Sequence, residues 1–271
     1  MENNYIKRTH IRKSQAFRST NNPWNDLNLN AGWSIGLITK IVGANSFQSF
    51  EEWENYYFET AQKRQSLLKK AVPASRQRLM DLRSVFTPTK PFKRGLTRYE
   101  VDINEAHGRT MEELTFIAKC LHEEVVKRGN PYGLTEEDCM NHVYIRVVDE
   151  AYIGIQREVN TIKTLAKHYP ELVFSFTEAD KDRHYAIDAE VFDQSGKLLC
   201  GLQIKSAFFN RGKTRAMKSA QSFNLKKHEQ YANRFGVPAY FVHSTVEGDI
   251  QNNETFERLD QFTHTKSLQT V

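Results

Sequence analysis

The chain has 271 residues, of which 39% are hydrophobic and 11% aromatic, which is enough to build a buried core and excludes a globally disordered chain. Its net charge of +5 is compatible with a polyanionic partner, but many ordinary basic proteins share it. Three widely spaced cysteines, with no CxxC or Cys/His cluster, support neither a zinc site nor a disulfide framework. The amino terminus lacks the apolar region of a signal peptide, and no stretch approaches the roughly 18 apolar residues of a membrane helix. We therefore expect a cytoplasmic protein with no membrane contact.

The first half of the chain is predicted to be mainly helical. Residues 1–30 are polar and Asn-rich with a basic cluster, which indicates a flexible basic arm. For residues 31–135 we predict a mainly helical part. Ser49 and Glu52 have the spacing of a capping box, which predicts a helix that runs to about Lys70. Apolar residues at helical spacing predict a further helix over residues 111–127.

The second half, residues 136–250, has the pattern of an α/β unit. Thr135 and Asp138 predict the start of a long helical stretch towards His168. Residues 185–192 and 198–205 are strand-like and flank a turn at 193–197, which together predict a β-hairpin. A helix over about 224–235 and a buried strand over 237–243 follow it. Residues 251–271 are interpreted as a polar tail.

The predicted hairpin groups three residues that suit phosphodiester hydrolysis. Because alternate strand residues point the same way, Gln203 and Lys205 lie on one face of their strand. Pairing of the two strands in a hairpin can place Asp188 and Glu190 on that same face. Magnesium prefers oxygen ligands and activates water as a Lewis acid. We expect Asp188 to be the main metal ligand, with the Gln203 side chain, the Ile204 backbone carbonyl and Glu190 as further candidates. Lys205 would orient the attacking water and stabilise the transition state.

These residues resemble a known motif. Ile187-Asp188, fourteen intervening residues and Gln203-Ile204-Lys205 are similar to the PD-(D/E)XK nuclease motif, and Glu158 matches the helical glutamate that many members place beside the metal. Two departures are Ile187, where proline is usual, and Gln203, which keeps an oxygen but lacks the charge of the usual second acid.

The chain more widely resembles the MjaI family of type II restriction endonucleases, in Gly32-Trp33 with Gly36, Trp53 through Tyr57, Gly108-Arg109-Thr110 and the sequence GLQIKS. This resemblance implies a restriction-endonuclease-like core, a mixed β-sheet flanked by helices. It further implies Mg²⁺-dependent cleavage of double-stranded DNA at a short, CTAG-like site, leaving 5′-phosphate and 3′-hydroxyl ends. A homodimer and a cognate DNA methyltransferase as genetic partner are also implied.

Several basic residues are predicted to contact DNA. Seven of them lie in two stretches almost free of acids, before and after the motif, and Arg109, in Gly-Arg-Thr, is a separate candidate to clamp a phosphate or read a guanine edge. The residues are Lys93, Arg94, Arg98, Arg109, Arg211, Lys213, Arg215 and Lys218. The helical part over residues 31–135 is also predicted to serve DNA binding and dimerisation.

Each assignment has an alternative that the sequence leaves open. A D…QxK pattern arises by chance in many proteins. Glu158 could be a solvated helix residue paired with Lys163. Arg109 could serve the start of a helix rather than DNA. The histidines show no ligand spacing, which favours ordinary surface or core roles. At the level of function, the alternatives are a repair or junction nuclease on the same core, and an inactive DNA-binding protein that has lost its second acid at Gln203.

Overall fold

The computed structural model describes residues 2–27, 29, 47–73, 107–207, 209 and 215–264. They fall into two compact units, with the boundary between Tyr152 and Ile153. The sequence placed this boundary at residue 135. The later position follows from the packing of two successive helices within the first unit, as described below. The predicted segment around Gly32, Trp33 and Gly36 lies outside the described residues.

The helices of the first unit begin at the amino terminus. Their bounds are α1 Glu2–Lys13, α2 Gln15–Ser19, α3 Asn21–Asp26, α4 Phe50–Glu59, α5 Ala61–Lys70, α6 Met111–Lys127 and α7 Glu136–Tyr144. The prediction of a flexible arm over residues 1–30 is therefore corrected, because the structure gives this segment three helices. Phe17 and Trp24 are buried aromatic anchors within it, and both lie within about 5 Å of the Arg146 guanidinium. The polar composition of residues 1–30 gave no indication that these two aromatic residues are buried.

Local capping signals in the first unit are confirmed. The Ser49 side chain accepts from the Glu52 amide at the start of α4, and Thr135 and Asp138 form a complete capping box at the start of α7. The predicted inner face of α6 is buried as a whole; it consists of Leu114, Ile117, Ala118, Leu121 and Val125. Helices α6 and α7 pack against each other, which assigns α7 to the first unit.

The long helical stretch towards His168 is confirmed, with one interruption. A π-helical turn at Ile145–Asp149 separates α7 from α8, which spans Glu150–His168. Two contacts accompany this turn in the first unit. The Trp53 indole donates to the Val148 carbonyl at 3.0 Å, and Arg8 pairs with the buried Asp149 at 2.9 Å.

The second unit is built on a four-stranded mixed sheet in the order β1-β2-β3-β4. The first two pairings are antiparallel, and β3 pairs in parallel with β4 after a helical crossover. After α8, the bounds are β1 Leu172–Phe176, α9 Ala179–Tyr185, β2 Ala189–Asp193, β3 Leu198–Ser206, α10 Arg215–Phe235, β4 Ala239–Ser244 and α11 Glu254–His264. The predicted class, an α/β core with a mixed sheet flanked by helices, is confirmed.

The two faces of this sheet differ in chemistry. On one face, Leu202 and Ile204 belong to an apolar cluster that includes Leu165 of α8 and Leu259 of α11. Because strand side chains alternate, the opposite face of the hairpin carries polar side chains. These are Asp188, Glu190, Gln203 and Lys205.

Three local predictions for this unit were wrong. The strand predicted from Tyr185 begins at Ala189, because Tyr185 ends α9 and Ala186 adopts a left-handed conformation with φ 56°. Helix α10 begins at Arg215 rather than at about residue 224. Helix α11 occupies part of the predicted polar tail, and its Leu259 is fully buried. All three cysteines are buried free thiols, and within the described ranges no helix has the length and apolarity required to cross a membrane.

Candidate active site

A tight hairpin brings the two halves of the predicted motif together. Strands β2 and β3 pair with Ala189 opposite Leu202 and Glu190 opposite Gly201. The turn between them is closed by the Asp193 carboxylate, which accepts hydrogen bonds from the backbone of residues 195 and 197 at 2.8 and 3.0 Å. The predicted hairpin is thus confirmed, and its open end carries the site.

Asp188 lies at that open end, directly before β2. Its backbone N–H donates to the Leu202 carbonyl at 2.8 Å, and its Oδ2 accepts from the Ile204 N–H at 2.6 Å. The Lys205 ammonium lies 3.6 Å from the same carboxylate oxygen. Asp188 is buried, whereas Lys205 is partly exposed. The structure therefore unites the acid and the lysine that the sequence singled out, with the lysine accessible from outside.

Glu158, on α8, supplies a second acid to this neighbourhood. Burial raises the pKa of its carboxyl well above the usual value, the negative charge of Asp188 raises it further, and Lys205 opposes the shift. No ion pair joins Glu158 to Lys163 within the described part of the chain, so the solvated-pair alternative has no support. The arrangement is two carboxyl groups and one lysine in electrostatic contact.

Gln203 is buried on the polar face, but its partner is a helix side chain. Its Oε1 lies 3.1 Å from Nε2 of His228, a buried residue of α10. Burial lowers the pKa of His228 to about 4, and the positive charges of Lys205 and Lys227 contribute to the lowering. The sequence predicted only an ordinary surface or core role for His228, because 25 residues separate it from Gln203 and no spacing rule links a strand to the helix after it.

Glu190 is occupied within the protein. Both of its carboxylate oxygens accept from the Lys181 ammonium, at 2.9 and 2.8 Å, and Oε1 also accepts from the Tyr231 hydroxyl at 2.6 Å. This buried set of contacts links α9 and α10 to the sheet. The geometry therefore does not favour Glu190 as a metal ligand.

The Ile204 carbonyl faces the same side as Asp188. In an extended strand, the N–H and C=O of one residue point towards the same neighbouring strand. Since the Ile204 N–H is directed at Asp188, its carbonyl also lies on the side of the strand that faces Asp188. The described residues contain no set of three or more His, Cys, Asp or Glu side chains placed to hold a metal ion.

The residues predicted to contact DNA are only partly described. Lys93, Arg94, Arg98, Arg211 and Lys213 lie outside the described residues, and of Arg215 only the backbone, at the start of α10, is described. Lys218 is exposed on α10.

Arg109 lies in the loop that starts α6, and its placement favours the structural alternative. The amides of Gly108 and Arg109 both donate to the Glu113 carboxylate at 2.9 Å, and the Arg109 side chain is buried. The Tyr57 hydroxyl donates to the Gly108 carbonyl at 2.7 Å. The Gly-Arg-Thr sequence thus secures the first turn of α6.

A mixed sheet flanked by helices, with an acid and a lysine meeting at the end of its central hairpin, is the α/β core of a restriction-endonuclease-like protein. The model of the MjaI restriction endonuclease family matches residues 20–251, and the chain belongs to this family. Membership makes it a nuclease, a hydrolase whose substrate is DNA. No match was found among curated proteins or among solved structures.

Proposed function

We propose that this protein is a type II restriction endonuclease that uses Mg²⁺ to hydrolyse both strands of DNA at a short specific site, through a PD-(D/E)XK centre. The observation that carries the proposal is the meeting of Asp188 and Lys205 at one end of the hairpin, with Glu158 of α8 in electrostatic interaction with both. The family resemblance extends the proposal to a CTAG-like site, a homodimer and a cognate DNA methyltransferase. A two-fold symmetric enzyme suits a palindromic site, because each subunit then meets the same half-site.

The residues present fit a magnesium ion. The negative charge of Asp188 helps to raise the pKa of Glu158, and a bound cation would relieve that repulsion. Two carboxylates suffice for Mg²⁺, because water and substrate phosphate usually complete its oxygen shell. Asp188, Glu158 and the Ile204 carbonyl would therefore hold the ion, with Gln203 as a further oxygen donor. When bound, the ion supplies Lewis acidity towards phosphate and water.

Lys205 supplies the chemistry that belongs to the chain itself. Its ammonium is partly exposed and held near Asp188, so it can reach a phosphate that approaches from outside. There it would orient the attacking water and stabilise the negative charge that develops on phosphorus oxygens. The water oxygen bonds to phosphorus and releases a proton to solvent as the bond to the 3′ oxygen breaks, and the 3′ oxygen takes up a proton. The products carry 5′-phosphate and 3′-hydroxyl ends.

The test is incubation of a sequenced plasmid with the purified protein in Mg²⁺, with and without EDTA. We expect discrete fragments that disappear in EDTA and in Lys205→Ala, and that persist in the control Lys197→Ala. Lys197 is an exposed lysine of the turn between β2 and β3, so this control removes the same charge from the same hairpin.

Other outcomes of this test contradict the proposal. Cleavage only at junctions or damaged sites would support a repair nuclease. DNA that is bound in Mg²⁺ but never nicked, at any salt concentration, would support an inactive binding protein.

A further inference from the structure

Two contacts hold the amino-terminal half of α10 beside the end of β3 that carries Lys205. Nε2 of His228 lies 3.1 Å from Oε1 of Gln203, which is two residues before Lys205 on the strand. The Gln221 side-chain amide donates to the Phe209 carbonyl at 2.6 Å, in the segment that follows β3. Because the helix residue numbers fall as the strand residue numbers rise, α10 runs back along β3. Its amino-terminal half therefore flanks the proposed active centre.

Phe223 lies between these two contacts and points away from the sheet. Gln221 and His228 are seven residues apart, which is about two helical turns, so both face the sheet. Phe223 is two residues from Gln221 and therefore lies on the opposite side of the helix. It is 60% exposed, the highest value among the aromatic residues that the structure describes. The packing of α10 on the sheet thus gives no reason for an aromatic side chain at this position.

A lysine lies over the exposed ring. The Lys227 ammonium is 5.1 Å from the centroid of the Phe223 ring, one helical turn further along α10. Burial lowers the pKa of Lys227, Asp182 opposes the shift, and the positive charge of Lys205 adds to it. Lys227 is therefore within electrostatic reach of Lys205. A phosphate group near both ammonium groups would relieve the repulsion between them.

The charge of this segment favours a polyanion as its partner. Residues 207–228 contain six basic residues and no acid, and Lys218 and Lys226 of this segment are exposed. A single exposed aromatic residue is ordinary on a protein surface, but this one lies within a strongly basic stretch. A second copy of the chain docked through the same stretch would bring like charges together. Charge complementarity therefore favours DNA as the occupant of this helix face.

The chemistry of the ring indicates what it could read in DNA. The major groove of B-DNA admits an α-helix and presents hydrogen-bond donors and acceptors together with the C5-methyl group of thymine. Phenylalanine has no hydrogen-bonding group on its side chain, so the methyl group is the part of a base edge that matches it. Lysines beside the ring can bind the phosphates that border the groove.

We propose that α10 enters the major groove of the DNA substrate and that Phe223 is a specificity-determining residue, which contacts the methyl group of thymine while Lys226 and Lys227 bind neighbouring phosphates. This inference rests on the proposed function for its substrate, DNA, and adds a residue that reads the sequence. Phe223 contacts a base and not the reacting phosphate.

The test measures DNA binding with and without the thymine methyl group. Fragments that cover a plasmid are amplified with dTTP or with dUTP, and the protein carries Asp188→Asn so that the DNA stays intact. For the fragment bound most tightly, we expect the dUTP copy to bind about fivefold more weakly than the dTTP copy. Adding Phe223→Ala should weaken binding to the dTTP copy about fivefold and abolish the difference between the two copies.

Leu225→Ala is the matched control, because Leu225 is also an exposed apolar residue of α10 but lies on the other side of the helix. We expect it to keep both the affinity and the preference for the dTTP copy. Equal urea midpoints for the two variants would exclude unfolding as the cause of weaker binding. If Phe223→Ala does not fold, Phe223→Gln takes its place.

Several results would overturn the proposal. They are the absence of DNA binding, equal binding of the two copies before Phe223 is changed, and a preference for the dTTP copy that persists in Phe223→Ala. A Phe223→Ala protein that changes from dimer to monomer and keeps the preference would assign the ring to an interface between copies instead. A parent protein that cuts no DNA would sink the proposed function, while the binding comparison would still decide the role of Phe223.

Discussion

The Asp188 carboxylate is oriented by the strand that carries Lys205. Its Oδ2 accepts a hydrogen bond from the Ile204 N–H at 2.6 Å, and the ammonium of the next residue, Lys205, lies 3.6 Å from the same oxygen. The acid is thus fixed by main chain as well as by charge. Because both partners of this relationship belong to one hairpin, the acid–lysine geometry is set within a short stretch of chain. Substitutions that alter the charge or the shape of this hairpin should therefore affect cleavage specifically.

Lys205→Arg tests whether the site needs an ammonium rather than merely a positive charge. Arginine presents a larger planar fork, which cannot occupy the space of a compact ammonium beside Asp188. We expect kcat to fall about 10²–10³-fold, comparable to the loss of one donor from a transition-state site. Single-turnover cleavage measures this effect. Full activity in Lys205→Arg would show that charge alone suffices.

Glu158→Gln tests whether the second acid costs the protein stability. Because the folded-state pKa of Glu158 is raised, its contribution to stability is fully present below the unfolded value near 4.5 and is lost as pH rises through the folded pKa. Glutamine cannot ionise, so we expect Glu158→Gln to have the higher denaturation midpoint at pH 8, and the difference to vanish at pH 4. Glu171→Gln, at an exposed position, is the matched control. Identical pH profiles for Glu158→Gln and the parent protein would contradict the account.

Gly201→Ala tests the close packing behind the site. A Cβ at Gly201 would lie 2.9 Å from a Tyr231 ring carbon and 3.0 Å from the Ile187 side chain. Overpacking of this kind costs roughly 1–3 kcal/mol. Since Ile187 directly precedes Asp188, we expect a loss of cleavage activity as well as of stability, measured by urea denaturation and plasmid cleavage. Gly154→Ala is the control, because nothing lies within 4 Å of the Cβ it would add. Unchanged stability in Gly201→Ala would be inconsistent with this packing.

His142 predicts an acid limit to the stability of the first unit. Burial lowers its pKa from 6.5 to about 4, and the neighbouring Arg146 adds to the lowering. As pH falls below 6.5, His142 becomes protonated in the unfolded chain but stays neutral in the folded protein. The free energy of unfolding is therefore unaffected above pH 6.5 and declines towards pH 4. The decline amounts to about 3 kcal/mol, at about 1.4 kcal/mol per pKa unit. We expect the loss of stability between pH 6.5 and 4 to be smaller in His142→Asn than in the parent protein, and unchanged in the exposed control His10→Asn. Equal losses in His142→Asn and the parent protein would contradict the lowered pKa of His142.

The sequence could predict features that depend on neighbouring residues. The hairpin followed from alternation on both sides of a turn, and the capping boxes at Ser49 and Thr135 followed from spacing alone. The pairing of Asp188 with Lys205 followed because a hairpin fixes which residues share a face.

Features that depend on distant parts of the chain were missed. Helix α11 has its apolar residues diluted among polar ones, so only contact with the sheet distinguishes the buried Leu259 from an exposed leucine. The two short helices of residues 15–26 depend in the same way on Arg146, which bonds Thr20 from more than a hundred residues later. The contact of His228 with Gln203 joins a helix to a strand across a crossover, and no periodicity in the sequence predicts such a contact.

The most direct test of the account is a paired measurement on Asp188→Asn, in which DNA binding and cleavage are followed on the same plasmid in Mg²⁺. Asparagine keeps an oxygen that can accept the Ile204 N–H, so the fold and the DNA surface should survive while the negative charge is lost. We expect specific fragments from the parent protein, and intact DNA bound with similar affinity by Asp188→Asn. Undiminished cleavage by this variant would contradict the placement of the active centre at the end of the hairpin.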